Sequence, residues 1–93
     1  NIRWDAAIAL AKMGEKSSIP IIENLMDRDY LMTFPELDYN EITKVILIAI
    51  ETSSLVADSK FEPKLTKLAS SDENLKIRDA AIKTLKSNYD KVI

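Results

Sequence analysis

Apolar residues recur along most of this chain at the three-and-four spacing that lines one face of a helix. Ile2, Ala6, Ala9, Leu10 and Met13 share one side of a first helix over 2–13, and Gly14 follows where a C-capping glycine belongs. Ile19, Ile22, Leu25 and Met26 stripe a second helix over 18–27. Ser17 and Ser18 are its expected caps, and Pro20 sits in the first turn, where a missing N–H costs little. Phe34-Pro35 then interrupts the helical pattern, because a residue before proline is pushed out of the α region.

Asp38 and Glu41 form an acidic capping box ahead of a third helix over 40–54. Ile42, Ile46, Ala49 and Ile50 point inward, and Val45 and Ile48 widen that face until little of the helix is polar. This helix is therefore expected to be the most buried element, flanked on both sides. Its Val, Ile and Thr also suit a strand; the 3.6-residue spacing and the lack of a partner strand decide for helix. Ser59 with Glu62 predicts another capping box, with Pro63 in or just beyond the first turn of a helix over 60–70 striped by Phe61, Leu65, Leu68 and Ala69. Ser70 to Asn74 is a turn cluster, and a last helix over 75–88 carries Ile77, Ala81, Leu85 and Tyr89 inward.

The helices also resemble one another. Residues 1–10, 41–50 and 76–85 align without gaps and superpose Ile2, Ile42 and Ile77, then Ala6, Ile46 and Ala81, then Leu10, Ile50 and Leu85. Arg3 matches Arg78, with Thr43 between them. The intervening helices align at an offset of 43 residues, Pro20 on Pro63, Ile22 on Leu65, Leu25 on Leu68 and Asp29 on Asp72. Such periodicity is the signature of stacked units, none of which buries its apolar face alone.

Ile2-Arg3-x-x-Ala6-Ala7-x-x-Leu10 in one helix, a Pro-bearing Leu-x-x-Leu helix in the next, and an Asp before the following Arg resemble the HEAT repeat, in its short PBS-lyase HEAT-like form. The resemblance spans most of the chain except roughly 29–38. It implies an all-α fold, a short right-handed α-solenoid of antiparallel helical hairpins forming a fragment of a HEAT-like superhelix. It also implies that Asp72 and Arg78 take part in a ladder linking neighbouring repeats, interrupted in the middle unit where Thr43 stands for Arg and Ile46 for Ala. A non-repetitive helical bundle is the competing reading of the same pattern.

Composition narrows the chemistry. The 93 residues include no His and no Cys, so Ser-His-Asp, Cys-His, zinc-finger and His-rich metal sites cannot be assembled from this chain alone. A single Gly leaves no room for a phosphate-binding loop. No apolar run is longer than Val45 to Ile50, far short of the roughly 20 residues of a membrane span. The chain starts without Met or a signal-peptide layout and reads as one domain, 1–93, cut from a longer cytoplasmic protein with adjoining repeats. Net charge is −2, which argues against nucleic acid, yet residues 1–58 carry net −5 and 59–93 net +3, so the halves have reason to attract.

These features point to a non-catalytic helical-repeat scaffold that binds a protein partner, with no cofactor, no metal and no membrane. The alternative is a non-catalytic part of an enzyme, phycobilin-lyase-like or a DNA-repair HEAT-like module. Two surfaces are candidates for the partner. Tyr30, Phe34 and Tyr39 lie in a long connection with Glu36, Asp38 and Glu41, an aromatic, acidic loop suited to a basic peptide. The plainer reading is that Leu31, Phe34 and Leu37 tuck beneath it as a satellite core. Lys60, Lys64 and Lys67 form a cationic stripe suited to a phosphate or an acidic peptide, or simply a solvated face from which Lys64 and Lys67 project. Trp4 falls about 200° from Ile2, facing outward as an interface anchor or covering the first hairpin. Asp27 and Asp29 read as a capped helix end rather than a calcium site.

Overall fold

The computed structural model describes residues 2–56 and 58–89, with side chains from Trp4 onward in the first helix. Among them are six α-helices, α1 (Ile2–Lys12), α2 (Ile19–Leu25), α3 (Arg28–Leu31), α4 (Tyr39–Val56), α5 (Glu62–Ser71) and α6 (Leu75–Tyr89), with 3-10 turns at Lys16–Ser18 and Ser59–Phe61 and no strand. The all-helical expectation holds. Helix α4 lies between α1 and α6 and packs on both, α2 packs on α1 and α4, and α5 packs most extensively on α6. The Cα trace measures 36 × 30 × 16 Å, a slab thick enough for two helical layers about 10 Å apart. Its radius of gyration, 12.2 Å, matches the roughly 12 Å of a chain this long packed as one body.

The stripes predicted for four helices are buried as expected. Ile22, Leu25, Ile46, Leu65, Ile77, Ala81 and Leu85 have no exposed surface, and Ile42, Ala49, Ile50, Leu68 and Ala69 have almost none. Helix α1 is different. Ala6 and Ala9 are exposed, Leu10 is 40% exposed and Met13 76%, whereas Ala7 and Ala11 are buried and Trp4 and Ile8 pack against the core. The inward set Trp4, Ala7, Ile8 and Ala11 is the expected Ala6, Ala9, Leu10 and Met13 moved by two residues, so the helix is turned by about 160°, nearly onto its opposite side. Ala6 to Ala11 is an uninterrupted apolar run, so no polar residue forbids either orientation. The placement of Ile2 and Arg3 side chains, part of that expectation, lies outside the described residues.

Other details depart from expectation for local reasons. Ile48 is 44% exposed, so α4 is buried less completely than its apolar content suggests. Ser18 does not cap α2; buried in the 3-10 turn, its hydroxyl donates to the Glu15 carbonyl at 2.7 Å. The cap before α5 is Asp58, which accepts from the Lys60 N–H at 2.9 Å, one residue earlier than Ser59. Asp38 and Glu41 do form the reciprocal box, at 2.8 and 3.3 Å. Gly14 ends the first helix at φ 81°, with Glu15 N–H donating to Leu10 and Gly14 N–H to Ala11, the Schellman pattern. A three-residue turn after α5 brings α6 back along it, so the closest helical pair is α5–α6 rather than the α4–α5 hairpin that the repeat suggests.

Candidate functional site

The connection between α2 and α4 is not a free loop. Asp27 accepts from the Tyr30 N–H at 3.2 Å and starts the single turn of α3. Leu31 is fully buried, and Phe34 and Leu37 are half-buried, so the satellite core is present. Phe34 meets Trp4 edge-on at 5.2 Å and Tyr30 edge-on at 5.3 Å. Trp4 therefore faces inward, as the rotation of α1 requires. Tyr30 and Phe34 belong to this aromatic cluster. Tyr39 does not: its ring lies beneath the Arg28 guanidinium at 5.2 Å, and its hydroxyl accepts from Asn74 Nδ2 at 3.1 Å. The three candidate aromatics thus serve two places, and Tyr39 is the exposed one, at 48%.

A polar seam joins α3 to the end of α5. Arg28 donates side-on to both oxygens of Asp72, at 3.0 and 3.1 Å, a fork matched to a carboxylate. The Asp72 side chain is only 3% exposed and Arg28 12%, so each neutralises a charge that would be costly to bury alone. The Asp72 hydrogen bonds, then burial acting against them, then the Asp72 and Glu73 charges hold the guanidinium even more firmly protonated. Asp72 also accepts from the Asn74 N–H at 3.0 Å, while Asn74 Oδ1 accepts from Lys76 and Ile77 and caps α6. Arg78 donates to the Asp72 backbone carbonyl. Asp72 and Arg78, six residues apart, thus meet through that carbonyl, and the carboxylate goes to Arg28.

The lysine stripe is partly consumed by the same seam. Lys64 donates to Asp27 at 2.8 Å, and Lys67 faces Asp29 at 3.8 Å. The bond to Lys64 holds the Asp27 carboxyl below its usual range; burial opposes, and the Tyr30 N–H assists. Lys64 does not project into solvent, whereas Lys60 and Lys67 are exposed. A cleft of about 150 Å³ lies along this seam, lined by Asp27, Arg28, Lys64, Lys67 and Asp72. Lys64–Asp27 and Lys67–Asp29 realise the attraction expected between an acidic first half and a basic second half, whereas Arg28–Asp72 joins a base of the first half to an acid of the second.

Sequence reasoning missed Arg28, whose partner is 44 residues away. No local pattern marks such a contact; the one available signal was an Arg beside two aspartates in a stretch lacking helical periodicity. Thr43 has a buried hydroxyl with no hydrogen-bond partner. Among the described residues, no three carboxylates gather as a metal cluster, and no helix is long and apolar enough to cross a membrane. Compared with family models, curated proteins and solved structures, the chain matches none.

Proposed function

We propose that this chain is a HEAT-like helical-repeat scaffold that binds a protein partner and performs no catalysis of its own. The observation that carries the reading is a recurrence of backbone. The 3-10 turn at Lys16–Ser18 leading into α2 recurs 43 residues later as Ser59–Phe61 leading into α5, with a proline in each first turn and with Ile22, Leu25 and Met26 buried like Leu65, Leu68 and Ala69. Ile42, Ile46 and Ile50 recur 35 residues on as Ile77, Ala81 and Leu85, all buried. Units that repeat in this way present a continuous face, the usual working surface of a helical array. The net charge of −2 favours a protein over a polyanion.

The test is capture of a partner followed by kinetics on variants of the two candidate surfaces. Lys60→Glu with Lys67→Glu alters the exposed cations and spares Lys64, whose reversal would set Glu against Asp27. Tyr39→Ala alters the exposed aromatic and spares the Trp4 cluster. An acidic partner on the lysines should associate more slowly and lose salt dependence; a partner on Tyr39 should dissociate faster. Unchanged kinetics in both variants would remove these surfaces, and turnover of a substrate by the purified chain would sink the scaffold reading.

A further inference from the structure

We infer that the cleft between the N-terminal ends of α4 and α6 is a docking groove for an extended acidic segment of a partner protein, one whose carboxylates alternate with bulky apolar side chains. The cleft holds about 520 Å³ and is lined by Tyr39, Thr43, Lys44 and Leu47 from α4 and by Leu75 and Lys76 from α6. Lys44 and Lys76 stand on its two walls, both exposed, and neither makes an ion pair with another described residue. This distinguishes them from Lys64 and Lys67, which the protein's own aspartates already engage.

Three further features fit the same occupant. Leu75 is 68% exposed and Tyr39 48%, so the groove offers apolar surface that water covers poorly. Asn40, Asn74 and Thr43 line the groove beside these residues and add polar side chains to its wall. Tyr39 is fixed by Arg28 and Asn74, so the groove wall is set before a ligand arrives. Glu73 also lines the groove, but it faces Arg28 at 3.6 Å. That carboxylate and the net charge of −2 count against a densely charged phosphodiester chain, and Leu47 and Leu75 beside Lys44 and Lys76 fit a peptide of mixed acidic and apolar side chains. The groove does not depend on the repeat reading; a non-repetitive bundle with these helices would present it equally.

The experiment is an amide-shift titration of the isotope-labelled chain with a short synthetic peptide of alternating Glu and Leu, beside a Lys-Leu peptide and oligothymidylate. Saturable shifts should appear over residues 39–47 and 74–77 with the Glu-Leu peptide alone. Lys44→Glu with Lys76→Glu should weaken binding about tenfold without changing the melting temperature, because both side chains are exposed. The inference is overturned by shifts gathering at Lys60 and Lys67, by equal binding of the Lys-Leu peptide or the oligonucleotide, or by no shift at millimolar peptide. Such a failure leaves the scaffold reading standing if Lys60→Glu with Lys67→Glu still weakens a captured partner.

Discussion

Helices α1 and α6 share an Ile-Arg start and an alanine pair and bury different registers of them. Both open with Ile-Arg, and aligning those pairs places Ala6 on Ala81 and Leu10 on Leu85. Ala81 and Leu85 are fully buried, yet Ala6 is exposed and Leu10 is 40% exposed. Aligning the alanine pairs instead, Ala6-Ala7 on Ala80-Ala81, reproduces the fold: Ala7 and Ala81 are buried, and Ala11 takes the place of Leu85. The polar residues explain the difference. Lys76, Asp79, Lys83 and Lys86 mark one side of α6 as exposed and leave one orientation. In α1 the run from Ala6 to Ala11 permits several, and the one adopted brings Trp4 against Phe34. A stripe of apolar residues thus specifies a face only when a polar stripe opposes it.

Alanine substitution sharpens the comparison most. Leu85→Ala should destabilise by about 2–5 kcal/mol through lost transfer energy and a cavity, and Ile46→Ala, in the helix between, by a similar amount. Leu10→Ala, the aligned residue in α1, should cost less than about 1 kcal/mol. Chemical denaturation reads all three, and equal losses for Leu10 and Leu85 would mean that α1 is rotated back to the Ile-Arg register.

The start of α6 is held by the polar seam, so the second test removes it. Asp72→Ala leaves Arg28 enclosed without its carboxylate and takes the Asn74 turn with it; the expected loss is about 3 kcal/mol. Replacing Arg28 by Met together with Asp72→Ala should recover part of that loss, since no unpaired charge then remains buried. A double variant less stable than Asp72→Ala alone would show that the pair contributes through its contacts rather than by mutual neutralisation.

Helix existence and the core positions of α2, α4, α5 and α6 were legible in the sequence because each combines a stripe with a terminating signal: Pro20, the Asp38–Glu41 box, Pro63 and the Ser70–Asn74 turn. The face of α1 was not, for want of an opposing polar stripe. The candidate site was legible only as residue types. Spacing grouped Tyr39 with Tyr30 and Phe34, and tertiary contacts with Arg28 and Asn74 separate it. Spacing also made Lys60, Lys64 and Lys67 equivalent, although Asp27, 37 residues from Lys64, claims the middle one.

A smaller effect tests what turns α1. If the Trp4–Phe34 edge contact fixes the rotation, a double-mutant cycle with Trp4→Leu and Phe34→Leu should show a coupling of about 0.5–1.5 kcal/mol. Coupling near zero would assign the rotation to Ala7 and Ala11 packing alone.

The C-terminal ends of the two helices supply the smallest test. Helix α1 closes on Gly14 with Met13 left 76% exposed, whereas α6 closes with the Tyr89 hydroxyl donating to the Asp58 carbonyl at 2.7 Å, a bond that ties it to the segment before α5. Burial first, then the nearby Glu62 and Asp58 carboxylates, push the Tyr89 phenol up from 10.0 to about 12. The neutral phenol is the form the fold prefers, so its contribution is complete below pH 10 and is lost as the pH rises through about 12. Ultraviolet titration of the native chain should therefore show a late ionisation step near pH 12 from Tyr89. Tyr89→Phe should remove that late step, cost about 0.5–1 kcal/mol at neutral pH and flatten the alkaline fall in stability. A late step that survives in Tyr89→Phe would show that the shifted phenol is not Tyr89 and that its bond to Asp58 does not hold the end of α6.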